Sequence, residues 1–499
     1  MNGKVQGIII CGVIAASLAG VMVFLNATGD DSQKEESSSV TDTASSEDES
    51  VVILERAAED ISSVHVANEN GEYTLEKSSS GKSLWTIGEL GTLNQNTTLK
   101  DSLRDACGSL EAKKLVEENV SDMSKYGLDQ PTASVTITYK DDSRTVLDVG
   151  TTAPNERYSY VRIQGDNSVY MVLGSKISYF TYPATSYAEL NLITQPSDED
   201  WPDYGVETIT RRDWDYEVTF ENDPQNIEGM LSSQVISSPI FSYLNITGSS
   251  DVTHGMWGLT ASECVVLNPE GEDFAEHGLS EPFCTVNLKG DGYDYNLLIG
   301  DPIKAVDSEG NEKDEITGYY CYLKGVTGAN AIFIIGIDSL PWATFEIEDV
   351  ISSIMTSNYL VDLSEISIDY KGEKTVYEIT SNGSSTETLE DGSAADVTSV
   401  KCDGKELDVY NFKSLYQYMM TCPTNEIYFT DPEGESEMTI VQTRADGGSD
   451  TIELYKDTSR RYIVKLNGKT SFRIQSTWID TLVKNMDNIK NGKAIDDNY

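Results

Sequence analysis

The feature that most constrains this chain is that it repeats itself. Tyr126-Gly-Leu-Asp-Gln-Pro131 returns as His277-Gly-Leu-Ser-Glu-Pro282, a period of roughly 150 residues, and such a period marks tandem copies of one folding unit. The segments downstream of the two copies match too. Val135-Thr-Ile-Thr-Tyr139 and Val146-Leu-Asp-Val-Gly150 correspond to Val286-Asn-Leu288 and Tyr295-Asn-Leu-Leu-Ile-Gly300. Tyr158-Ser-Tyr-Val-Arg162 then aligns with Tyr320-Cys-Tyr-Leu-Lys324, and Val169-Tyr-Met-Val172 with Ile332-Phe-Ile-Ile335, the second copy carrying an insertion at about 305–316. A more diverged third copy closes the chain: Met438-Thr-Ile-Val441, Thr451-Ile-Glu-Leu-Tyr455, Tyr462-Ile-Val-Lys-Leu466, a turn at Gly468, Ser471-Phe-Arg-Ile474 and a helix near 477–488. It lacks the Gly-Leu…Pro element and is assigned on strand order alone.

Alternation of apolar and polar residues in these segments predicts antiparallel strands with one face wet. Hairpins precede them: Ser63-Val-His-Val-Ala67 turns at Asn68-Glu-Asn-Gly71 into Tyr73-Thr-Leu75, and Ile366-Ser-Ile-Asp-Tyr370 turns at Lys371-Gly372 into Val376-Tyr-Glu-Ile379. Apolar stripes at helical spacing follow, at Leu99/Leu103/Ala106/Leu110, Ile227/Met230/Leu231/Val235 and Phe412/Leu415/Tyr416/Met419. Each unit therefore reads as a hairpin, a helix, four short strands and a closing helix, with units expected at 51–195, 203–358 and 362–491. The expected fold is α+β: three tandem repeats of a mainly antiparallel β-sheet with packed helices, preceded by one N-terminal transmembrane helix.

That helix is expected at residues 5–27, an uncharged run containing Ile8-Ile-Ile10, Val13-Ile-Ala-Ala16 and Val21-Met-Val-Phe-Leu25. About 20 residues suffice to cross the roughly 30 Å hydrocarbon core. Lys4 precedes the run and eight acids follow between Asp30 and Glu49, so the positive-inside rule places residues 1–29 as a cytoplasmic stub and anchor, with the bulk extracytoplasmic. A cleaved signal peptide is the alternative, with Ala27-Thr-Gly29 as the small-residue site. Residues 30–50, with seven Ser and one Lys, bury too little to offset the entropy of folding and read as a disordered tether of about 25 Å reach.

Charge narrows the function classes. Against 36 Lys and Arg stand 83 Asp and Glu, a net charge of −47, which opposes phosphate backbones and excludes nucleic-acid binding through a basic surface. Of the seven cysteines, Cys11 lies in the apolar run; Cys107, Cys264, Cys284, Cys321, Cys402 and Cys422 are scattered, without metal or disulfide-framework spacing, and read as isolated buried thiols.

The order of elements resembles domain-of-unknown-function family 4340: Trp85 after a charged hairpin, Tyr-Gly-Leu…Pro before a strand, Val-Gly or Ile-Gly, then a Tyr-x-Tyr strand. The resemblance covers about 51–358 well and 362–491 weakly. It implies a bacterial protein with one N-terminal anchor, encoded near ABC-type export or gliding-type transporter components. It supplies no catalytic residues.

No catalytic, cofactor-binding or metal-ligating set emerges from the residues themselves. A G-x-S-x-G elbow is missing, and the three histidines, His65, His254 and His277, offer the imidazole bases. His65 alternates within a strand and His277 takes the place of Tyr126, so both read as packing residues; His254, in the loop Thr253-His-Gly-Met-Trp257, is the one to watch. Gly468-Lys469-Thr470 ends like a phosphate-binding loop, yet Ile463 stands where the first glycine belongs, so it reads as a β-turn. The acidic run Asp307–Glu315 has its glycine, Gly310, fourth instead of sixth and reads as a flexible insertion. Tyr179, Tyr182 and Tyr187, and Tyr410, Tyr416 and Tyr418, are candidate contact patches with core packing as the alternative. The expectation is a non-enzymatic, membrane-anchored extracytoplasmic repeat protein needing no cofactor. Its partners would be proteins of the membrane or envelope, ABC-type transporter subunits among them. The alternative is an extracytoplasmic ligand-binding protein or hydrolase acting on cell-wall glycans or peptides at a cleft between units.

Overall fold

The computed structural model describes residues 50–78, 85–154, 156–223, 233–424 and 426–496. The anchor expected at 5–27 and nearly all of the tether lie outside them. Among the described residues no helix is long and apolar enough to cross a membrane.

Three large sheets succeed one another along the chain, and every strand pairing is antiparallel. In each, a hairpin lays its first strand against the first strand of a four-strand meander: Ile61–Asn68 against Ala133–Tyr139, Val206–Arg211 against Cys284–Gly290, and Leu363–Tyr370 against Met438–Arg444. A further strand follows the hairpin outward: Trp85–Ile87, Gln234–Ser238 and Val397–Cys402 hold equivalent places. The first and second sheets add an outer strand beyond the meander, Lys114–Glu117 and Glu263–Leu267, whereas in the third a single bridge, Ile427 to Phe472, stands at that edge. A two-stranded sheet pairs Val51–Glu55 with Ser109–Ala112. The fold is thus α+β with antiparallel sheet dominant.

Burial explains why these segments are strands. Ala133–Tyr139 alternates strictly between buried and half-exposed positions, as does Met438–Arg444, so one face enters the core and the other meets solvent. The buried faces join one hydrophobic cluster that runs from Leu54 to Ile489.

The repeat motif has a steric cause. Gly127 and Gly278 adopt φ of +65° and +69°, where a side chain is strained. Their partners are tighter still: a Cβ on Gly150 would lie 2.1 Å from the Tyr126 carbonyl oxygen, and one on Gly300 would lie 2.2 Å from that of His277. Leu128 and Leu279 pack beneath, both buried. The Gly-Leu and Val-Gly or Ile-Gly pairs are therefore two halves of one close backbone approach.

Several expectations need correction. The helix read at Ile227/Met230/Leu231/Val235 is not formed at Val235, which lies on the strand Gln234–Ser238; residues 227, 230 and 231 are outside the described set. The second unit's helix is Ile246–His254, started by Asn245, whose side chain accepts from the Thr247 and Gly248 amides. Leu110 falls beyond the first helix, Thr97–Gly108, which stops where Gly108 meets the Arg56 carbonyl. The insertion at 305–316 is a hairpin arm instead of a flexible loop: pairing continues through Ile303 with Gly318 and Val306 with Glu312, and the turn is closed by Asp307, which accepts from the Glu309 and Asn311 amides. A full closing helix occurs in the third unit, Ser476–Lys490, while short helical turns stand there in the first two.

One alignment also shifts. Val149 faces Val161 and Ile299 faces Cys321, so Tyr160 is the structural counterpart of Tyr320, two residues from the sequence pairing. A two-residue slip preserves which face each side chain occupies, so alternation alone does not detect it.

Candidate functional site

The chain between the first and second sheets carries Asp198-Glu-Asp-Trp-Pro-Asp-Tyr204 and is held closely to the second sheet. A Cβ on Gly205 would lie 1.9 Å from the Lys289 carbonyl, the Tyr293 hydroxyl donates to the Asp203 carbonyl at 2.7 Å, and Asn222 donates to that of Tyr204 at 2.8 Å. The strand Val206–Arg211 begins immediately afterwards, and its alternation turns Glu207 inward, where it is fully buried. Its carboxyl accepts from the Tyr204 hydroxyl at 2.8 Å and from the Trp342 indole N–H at 2.7 Å. Burial pushes the Glu207 carboxyl up to about 8, so it stays protonated at neutral pH. Burial and the neighbouring Glu207 raise the Tyr204 phenol well above its ordinary value.

Above this anchor lies a set of aromatic rings. His254 ends the helix Ile246–His254, not a loop, with Thr253 Oγ1 2.9 Å from its Nδ1, and burial lowers its pKa and favours the neutral ring. Trp257 follows in the turn closed by Gly258, whose φ is +85°. Tyr293 and Tyr295, two apart on the strand Tyr293–Val306, share one face of the pleat. Trp201 sits 5.9 Å from His254 and 6.5 Å from Trp257 between ring centres; Trp257 meets Tyr293 edge-on at 5.1 Å and Tyr295 at 5.5 Å; Tyr204 lies 6.1 Å from His254. Trp201 is 37% exposed and the other five rings are half-buried, so the set presents an aromatic platform to solvent. Asp198, Glu199, Asp200 and Asp203 flank Trp201 in sequence and are exposed, as is Asp251 in the last turn of the helix.

A second polar assembly joins the second and third sheets. Buried Asp450 accepts from the Tyr243 hydroxyl at 3.1 Å, Asn358 at 2.6 Å and Asn467 at 2.8 Å, with Arg444 3.9 Å away. Arg444 also donates to Asn358 at 3.2 Å. Arg444, Asn358, Tyr359, Asp362, Ser384 and Asp446 line a cleft of about 340 Å³.

The other residues singled out by sequence fall in structural roles. His65 bonds Thr74 across the hairpin at 3.0 Å, and His277 meets the Tyr320 ring edge-on at 4.6 Å, as Tyr126 meets Tyr160 at 4.9 Å. Asn467-Gly468, both at positive φ, form the turn between two strands, and Lys469 and Thr470 begin the second of them. Cys107, Cys264, Cys284, Cys321, Cys402 and Cys422 are all free and buried. Tyr187, Tyr416 and Tyr418 are buried, with Tyr187 donating to the Tyr179 carbonyl, whereas Tyr410 is 79% exposed. Among the described residues no three His, Cys, Asp or Glu side chains converge in a metal-binding arrangement. Glu207 and Asp450 escaped sequence reasoning, although an acid at an inward position of an alternating strand is a legible signal of a buried carboxyl.

Residues 85–199 match the family model described as Domain of unknown function (DUF4340), which bears out the resemblance over most of the first unit. No curated protein and no solved structure matches the chain.

Proposed function

We propose that this is a non-enzymatic interaction component of the bacterial cell envelope, anchored by residues 5–27, with its sheets outside the membrane and associated with an ABC-type transport system. The observation that supports this reading is the aromatic platform around Trp201 and Trp257, because partly exposed Trp and Tyr clusters are the residues that carry binding energy at protein interfaces. The anchor and the transporter association rest on the apolar N-terminal run and the family resemblance. Full-length protein isolated in mild detergent is expected to bring transporter subunits with it in stoichiometric amounts, and Trp201→Ala/Trp257→Ala is expected to lose them. Recovery of the protein alone, under conditions that keep other membrane complexes intact, overturns the reading.

The cleft beside Arg444 favours a second reading, an extracytoplasmic protein that binds a small ligand from the wall. Titration of the full chain with an N-acetylglucosamine trimer and with a wall tetrapeptide tests it. Binding abolished by Ser384→Trp, which fills the cleft, supports this reading, and no binding of either probe removes it.

A further inference from the structure

The six tryptophans sort by what covers them. Trp85, Trp342 and Trp478 are core residues. Half-buried Trp214 carries a cation of the chain itself, with Arg211 4.1 Å from its ring centre. Trp201 and Trp257 differ. Both reach solvent, and no described Lys or Arg stands over either ring. At Trp214, the one other tryptophan that is not buried, this acidic chain supplies a cation from its own sequence.

From this we propose that the platform formed by Trp201, Trp257, Tyr293 and Tyr295 docks a Lys- or Arg-bearing segment of a partner protein. The proposal rests on the interaction reading above and adds to it the chemistry of the partner. Two features make a cation the fitting occupant. Aromatic faces attract cations through their quadrupole, most strongly where water is partly excluded, as among half-buried rings. Exposed carboxylates at Asp198, Glu199, Asp200 and Asp203 flank Trp201 in sequence, exposed Asp251 lies in the helix turn that ends at His254, and a net charge of −47 draws a basic segment toward the chain before contact. His254 adds no opposing charge, because burial favours its neutral form. A segment with alternating Arg or Lys would set guanidinium or ammonium groups over the rings while its remaining charges meet the exposed carboxylates.

The test uses the full-length protein in mild detergent and a short fluorescein-labelled Gly-Arg repeat peptide, read by anisotropy beside its citrulline counterpart, which keeps the shape and removes the charge. The Arg peptide is expected to bind about tenfold more tightly than the citrulline peptide, and Trp201→Ala/Trp257→Ala to weaken it about tenfold. These substitutions leave the net charge unchanged, so the loss is not attributable to general electrostatic attraction. Trp201→Ala alone, in an exposed connector, is expected to give a smaller loss and covers failure of the double variant to fold. Wild-type affinity in both variants, or equal binding of the citrulline peptide, overturns the proposal. Should transporter subunits still co-purify in a Trp-dependent manner while the peptide fails, the platform docks its partner without a cation and the interaction reading stands. Peptide binding without co-purification has the converse meaning.

Discussion

At the scale of single residues, the chain invests its least replaceable positions in holding backbone and buried charge. Glu207 is the clearest case. Its carboxyl has an ordinary value near 4.5 and is raised to about 8 in the fold, so the folded state keeps a proton that the unfolded chain releases. The stability this group allows is therefore full below about 4.5 and falls as pH rises through 8, by an upper bound of about 5 kcal/mol. Glu207→Gln, neutral throughout, is expected to flatten that dependence. Thermal unfolding at pH 5 and pH 9 checks it, since contributions common to both proteins, His254 included, cancel in the difference. Parallel pH slopes in wild type and variant would sink the idea. Gly150→Ala tests the other kind of position: a Cβ placed 2.1 Å from the Tyr126 carbonyl forces a shift, with an expected loss of about 1–3 kcal/mol in denaturant unfolding. Gly88→Ala, where nothing lies within 4 Å, serves as the control with little change expected.

At the scale of elements, what could be read from the sequence was whatever depends on local alternation or spacing. The hairpin Ile61–Asn68 to Gly71–Lys77, the third helix Val409–Met420 and the last helix Ser476–Lys490 announce themselves through turn residues and stripes. Gln234–Ser238 did not, because Val235 and its upstream apolar neighbours happen to fall at helical spacing, and the pairing with Glu217–Asn222 that makes it a strand is not encoded in that spacing. The Tyr160 and Tyr320 correspondence was hidden by the face-preserving slip. Of the platform, the sequence singled out His254, in the segment that ends at Trp257, whereas Trp201, Tyr293 and Tyr295 come from segments with no sequence proximity to it. The junction between the second and third sheets was equally illegible, since Tyr243 and Asp450 meet through tertiary folding. Tyr243→Phe keeps the ring contact with Phe241 at 5.5 Å but withdraws a donor from buried Asp450, and is expected to cost about 1–3 kcal/mol, measured by chemical denaturation. A change within error would mean that this hydrogen bond does not hold the sheets together.

At the scale of the whole molecule, one hydrophobic cluster runs through all three sheets and Ser50–Tyr499 forms a single compact unit. Because no sheet buries its apolar face without that shared core, the three are expected to unfold in one transition instead of three. The net charge of −47 adds that moderate salt should raise Tm by screening self-repulsion. A calorimetric scan with and without added salt checks both expectations, and three resolved transitions would contradict the shared core. The distribution of buried thiols then acquires a use. Cys107 belongs to the first unit; Cys284, Cys321 and Cys264 lie on alternate strands of the second sheet; Cys402 and Cys422 belong to the third, and all six are free and shielded. The fold thus contains a set of silent clocks: a pulse of alkylating reagent, read residue by residue in the mass spectrometer, starts each clock when its own sheet opens. If the core gives way as one, all six run at the same rate, and a sheet that leads the rest is betrayed by the cysteine that is modified first.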